Sequence, residues 1–156
     1  MTRKIDALLA EYGESHQNPV NKAVHWICVP MIVWTVLALL YALPVPALLA
    51  PLPYTNWLTP VLLLSLVYYL AVSWRLAIGV AIYAALCLWL INWVDANFSM
   101  PLWQVALMVF VLAWIGQFWG HKVEGKKPSF FKDMQFLLIG PVWLLGFLYR
   151  RVGIRY

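Results

Sequence analysis

The chain reads as an all-α integral membrane protein, a helical bundle of about four transmembrane helices, and three observations predict it. Hydrophobic residues make up 64% of the 156 and charged residues only 11%, against about 45–50% and about 25% in soluble domains. The mean hydropathy is +0.78; a soluble core this small cannot hide so much apolar surface, so lipid must cover the rest. Ten Trp and eight Tyr suit a protein with many residues at the lipid–water boundary. The length allows a single membrane-embedded domain over residues 1–156, with no Ser- or Gly-rich linker to mark a second.

Residues 3–15 carry an amphipathic helical pattern, with Ile5, Leu8, Leu9 and Tyr12 on one stripe, and predict an interfacial helix lying along the membrane. The same stretch is no signal peptide, because Asp6, Glu11, Glu14 and His16 stand where an apolar core is required. Asn18-Pro19 is a helix-start signal for a first span over residues 24–43. Pro44, Pro46, Pro51 and Pro53 then predict an uncharged loop reaching Thr59. A short second span follows over 60–73 and a third over 76–93, with Arg75 at the join. Asp95, Asn97 and Ser99 read as a polar turn. The fourth span, 101–120, continues beyond the lipid as a helix carrying His121 and Glu124. The last apolar run, 136–149, is short and interrupted by Gly140-Pro141. It predicts a re-entrant or interfacial hairpin rather than a full crossing.

Charge placement orients this arrangement. With four crossings, all eleven basic residues fall on one side: Arg3, Lys4, Lys22, Arg75, Lys122, Lys126, Lys127, Lys132, Arg150, Arg151 and Arg155. The other side keeps only Asp95. The positive-inside rule puts both termini in the cytoplasm, and the short loops favour a bacterial inner membrane over the endoplasmic reticulum. The net charge of +5 therefore reads as a topology signal and as contact with anionic membrane lipid, with no nucleic acid implied. Cys28 and Cys87 lie inside apolar segments and read as packing residues.

The chemistry gathers around the three histidines. His16 and His25 sit in the run His16-Gln17-Asn18-Pro19-Val20-Asn21-Lys22-Ala23-Val24-His25. Asn21 and His25, four apart, share a helix face where the first span enters the membrane. His121 ends the fourth span in Gln117-Phe118-Trp119-Gly120-His121-Lys122-Val123-Glu124, where Gln117, His121 and Glu124 share a face. The predicted topology puts all three histidines on one side at similar depth. Imidazoles with a carboxylate suit iron, zinc or manganese, and helix-borne His and Glu facing into a bundle build such sites. Asn18, Asn21 and Gln117 are candidates to fix the imidazole tautomers from behind, although Asn18 equally suits a helix cap.

Taken together, Tyr12…His16-Gln17-Asn18-Pro19-Val20-Asn21…His25 and Gln117-Phe118-Trp119-Gly120-His121…Glu124-Gly125…Pro128 resemble the membrane family of 2-hydroxy fatty acid dioxygenases. Its fungal members act in the endoplasmic reticulum on phytosphingosine breakdown. The resemblance implies Fe(II)-dependent α-oxidation, in which a 2-hydroxy fatty acid and dioxygen give a fatty acid one carbon shorter. It implies His16, His25 and His121 as the metal ligands. Glu124 matches a family acidic position, and with Asn21 it is a candidate catalytic residue, whether as ligand or as a base beyond the ligands; Asn18 and Gln117 stand behind the metal. Arg150-Arg151 depart from the family pattern, which often has an acidic residue after the final apolar run.

Other classes stay open on the residues alone. A non-catalytic lipid-binding or scaffold protein would use the polar groups for helix packing, and a zinc-dependent lipid hydrolase needs a similar ligand set. A small transporter is disfavoured, because it expects polar groups at the bilayer midplane and often repeated halves.

Overall fold

A computed structural model of the chain describes residues 4–46, 56–125 and 138–156. The described residues form six helices and no strand: α1 Lys4–Glu14, α2 Pro19–Ala42, α3 Leu58–Val72, α4 Trp74–Asn97, α5 Leu102–Glu124 and α6 Ile139–Arg151. Three of them, α2, α4 and α5, are long and apolar enough to cross a membrane. The 15-residue α3 is also apolar but extends only about 22 Å, short of a hydrocarbon core of about 30 Å. These helices divide into two compact units, one of residues 1–33 and 111–156 and the other of 34–110. The boundaries fall within α2 and α5.

In the unit of residues 34–110, α3 and α4 pack on each other, separated only by Ser73. That residue is extended, and its Oγ accepts from the Leu76 N–H at the start of α4. Leu76, Ala77, Ala84, Cys87 and Ile91 of α4 are buried, while Leu64 and Ile82 keep 71% and 67% of their surface uncovered. Water would not tolerate such an outward face, but lipid does. The expected polar turn at Asp95 and Asn97 is the last turn of α4 instead. Asn97 Nδ2 donates back to the Trp93 carbonyl at 2.7 Å, so the polar side chain is satisfied within the helix and the chain leaves it only at Phe98.

In the other unit, α1 packs against α6. Of the stripe expected to rest on lipid, Ile5, Leu9 and Tyr12 are buried and Leu8 is half-buried, and Tyr12 meets Trp143 of α6 edge-on at 5.3 Å. The apolar face of α1 is thus covered by protein. Gly140-Pro141 does not divide a hairpin: both residues lie in the first turn of α6, where proline lacks no needed donor. The expected hairpin's other arm lies outside the described residues. At its far end α6 carries Arg150 and Arg151 in its last turn, where cations complement the helix dipole.

Candidate metal centre

Each histidine is placed by a different local device. After α1 the chain turns, with the His16 N–H donating to the Gly13 carbonyl at 3.0 Å. This stacks the His16 ring on Tyr12, centroids 4.2 Å apart and planes 16° from parallel. Asn18 caps the start of α2, its Oδ1 accepting from the Val20 N–H at 2.8 Å, and Pro19 takes the first helical position. His25 therefore falls nearly two turns into α2. His121 lies in the last turn of α5, which Gly125 ends with a φ of 75°, the left-handed conformation that glycine adopts without Cβ strain.

A close approach of α2 and α5 joins the second and third devices. A Cβ on Gly116 would stand 2.7 Å from Cys28 Sγ, and one on Gly120 only 2.5 Å from Asn21 Oδ1. Gly116 and Gly120 thus form a GxxxG contact of the kind that lets membrane helices approach closely. His25 and His121 stand beside this contact on their own helices.

The result is a buried cluster of His16, His25 and His121 whose candidate ligand atoms all lie within 4.8 Å of one another. The ring centroids are 4.2 Å apart for His16–His25, 5.1 Å for His25–His121 and 5.5 Å for His16–His121. His16 Nδ1 lies 2.6 Å from the Tyr12 carbonyl oxygen and His25 Nδ1 lies 2.9 Å from that of Asn21. A carbonyl oxygen can only accept, so each Nδ1 carries the proton and each neutral ring is left with a lone pair at Nε2. Those two Nε2 atoms face each other at 2.9 Å. Two nitrogens held by one cation at about 2.1 Å stand about 3 Å apart, so a shared ion satisfies both lone pairs. The donor set therefore fits a divalent transition metal.

The remaining predicted residues separate into distinct places. Glu124 does not join the histidine cluster. Its Oε1 accepts from the Gln17 N–H at 2.8 Å, and its Oε2 from the Asn18 N–H at 2.9 Å and from Asn21 Nδ2 at 3.1 Å. With only N–H groups against it, the side chain is a carboxylate clamp that ties the end of α5 to the entry of α2. Asn21 is fully buried and completes the clamp by also donating to the Ser15 carbonyl at 3.3 Å. Asn18 is engaged as a helix cap, and backbone carbonyls fix the tautomers of His16 and His25. Gln117 is 6% exposed, and its Oε1 has no hydrogen-bond partner among the described residues.

Tyr12, Trp143, Gly116 and Gly120 also build the site, though the sequence reading assigned none of them a part in it. The only signal for the last two was their four-residue spacing in an apolar helix. Tyr12 opens the motif that carries the resemblance, whereas Trp143 had no signal, since it reaches His16 (5.3 Å between ring centroids) through the fold.

A model of the family described as Mpo1-like, 2-hydroxy-palmitic acid dioxygenase Mpo1-like, matches residues 2–152 of the chain. No curated protein and no solved structure matches it.

Proposed function

The chain belongs to the Mpo1-like family, and from that premise we propose that it is a membrane-bound Fe(II) dioxygenase. Its substrates are a 2-hydroxy fatty acid and dioxygen, and its product is the fatty acid shortened by one carbon, with the carboxyl carbon released. The observation that carries this reading is the pair of Nε2 lone pairs of His16 and His25 facing each other at 2.9 Å, with His121 beside them.

His16, His25 and His121 hold the metal through ring nitrogens. The Tyr12 and Asn21 carbonyls keep the Nδ1 protons of His16 and His25 in place, so the Nε2 atoms stay available. Iron(II) bound there would supply the redox chemistry that dioxygen needs to react with an organic substrate. Glu124 and Asn21 act on geometry: they fix α2 against α5 and hence the separation of His25 from His121. Burial of the cluster excludes bulk water. The acyl chain stays in lipid, and this is the physical reason for a membrane site; each methylene moved into water would cost about 0.8 kcal/mol. In this reading the site and both termini face the cytoplasm, on the side rich in Lys and Arg.

A zinc-dependent hydrolase would use the same ligands, but the family description favours oxygen chemistry. The test is direct. The protein is purified without oxygen, its metal measured, and 2-hydroxypalmitate supplied with iron(II) and then oxygen. The expected result is oxygen-dependent formation of the acid one carbon shorter, lost with His25→Ala. Turnover without oxygen, or with zinc alone, contradicts the dioxygenase reading.

A further inference from the structure

We infer that Gln117 recognises the substrate's 2-hydroxyl group, accepting its hydrogen bond at Oε1. This rests on the dioxygenase reading above and names a specificity residue for it. Among the described residues, two buried side-chain oxygens lack a hydrogen-bond partner, Asn21 Oδ1 and Gln117 Oε1. The first lies in the α2–α5 contact, 2.5 Å from where a Cβ on Gly120 would stand, which leaves no room there for a ligand's donor. Nothing among the described residues accounts for the second. Gln117 is 6% exposed, within a stretch of α5 that is otherwise apolar. A buried carbonyl oxygen without a donor is destabilising, and such groups are rare in folded chains.

The position supplies the donor's identity. Gln117 lies four residues before His121, so the two share a face of α5 about one turn apart. From His121 toward Gln117 the helix runs from its polar end into its apolar stretch. A fatty acid with its carboxyl end at the histidines and its chain in lipid follows the same direction. Its second carbon, one bond from the carboxylate, then lies on the Gln117 side of the metal. A hydroxyl there is a donor facing an acceptor that has none. An unsubstituted fatty acid leaves that oxygen unsatisfied, which is how a polar pocket rejects an analogue lacking a hydroxyl. The same unpartnered Oε1 argues against a role in orienting the His121 ring, since that role would occupy it.

The experiment measures binding rather than turnover. The iron(II)-loaded chain in nanodiscs, kept free of oxygen, is titrated with 2-hydroxypalmitate and with palmitate in competition with a fluorescent fatty acid. Wild type is expected to prefer the hydroxylated acid by about ten-fold, the scale of one good hydrogen bond left unmade in a buried site. Gln117→Met keeps the length and loses the acceptor; it should bind both acids equally, with palmitate affinity and iron per chain unchanged. Gln117→Asn, which keeps the carbonyl but withdraws it by one methylene, should lose the preference too and covers the case in which the Met variant fails to fold. A preference retained by either folded variant, or absent from wild type that binds both acids, overturns the assignment. Wild type that holds no iron, or binds neither acid, overturns the dioxygenase reading itself.

Discussion

His16 and His25 show how much a backbone carbonyl decides at such a site. By accepting a hydrogen bond from Nδ1–H, the Tyr12 and Asn21 carbonyls leave Nε2 as the nitrogen that can face a cation. The histidines were legible in the sequence, because three imidazoles on the basic side of a predicted bundle are hard to explain singly. Glu124 was legible as a residue but not as a role. HxxE spacing put it on the His121 face, whereas its oxygens meet the backbone of Gln17 and Asn18, a pairing across more than a hundred residues that no local pattern encodes. Glu124→Gln replaces one acceptor oxygen by a donor facing other donors. It should weaken metal binding by about ten-fold, the scale of one unsatisfied polar group, by loosening the clamp that sets α2 against α5, while the variant still folds and inserts. Metal titration with circular dichroism on the same sample checks this. Unchanged affinity would show that the clamp is unconnected to the metal.

At the level of elements, the apolar pattern found the helices but not their ends. Asn97 continues α4 by bonding its own preceding turn, and Gly140-Pro141 opens α6 rather than dividing a hairpin. In both cases a residue that favours turns was satisfied within a helix. The α2–α5 contact was written in the chain as Gly116 and Gly120, but a pair of glycines four apart does not say which helix it meets. Gly120→Ala brings a Cβ to 2.5 Å from Asn21 Oδ1 and should destabilise the fold by about 1–3 kcal/mol, the range for overpacking, with metal affinity falling alongside. Gly116→Ala forces Cys28 Sγ aside from 2.7 Å, and Cys28→Ala should restore most of that loss, a coupling readable in a double-mutant cycle. Thermal unfolding of the four chains measures it, and strict additivity would place the contact elsewhere.

For the whole molecule, composition alone carried the fold class, since 64% hydrophobic residues leave no other solvent than lipid. The convergence of segments so far apart in the chain was not carried by composition; it depends on helix faces meeting, and periodicity gives only which face is apolar. Because the candidate ligands come from the turn after α1, from α2 and from α5, metal binding should stabilise one unit more than the other. At a metal concentration a hundred times the dissociation constant, linkage adds about 2.7 kcal/mol. Hydrogen exchange should slow in α1, at the start of α2 and at the end of α5, with α3 and α4 unchanged and chelation reversing the effect. The most direct measurement of the central claim is iron K-edge absorption spectroscopy on the anaerobic, iron(II)-loaded protein. The account predicts a spectrum fitted by three imidazoles on one iron, with one imidazole fewer or no bound iron in each of His16→Ala, His25→Ala and His121→Ala. Iron surrounded by oxygen alone, or a spectrum the same in wild type and all three variants, would contradict it.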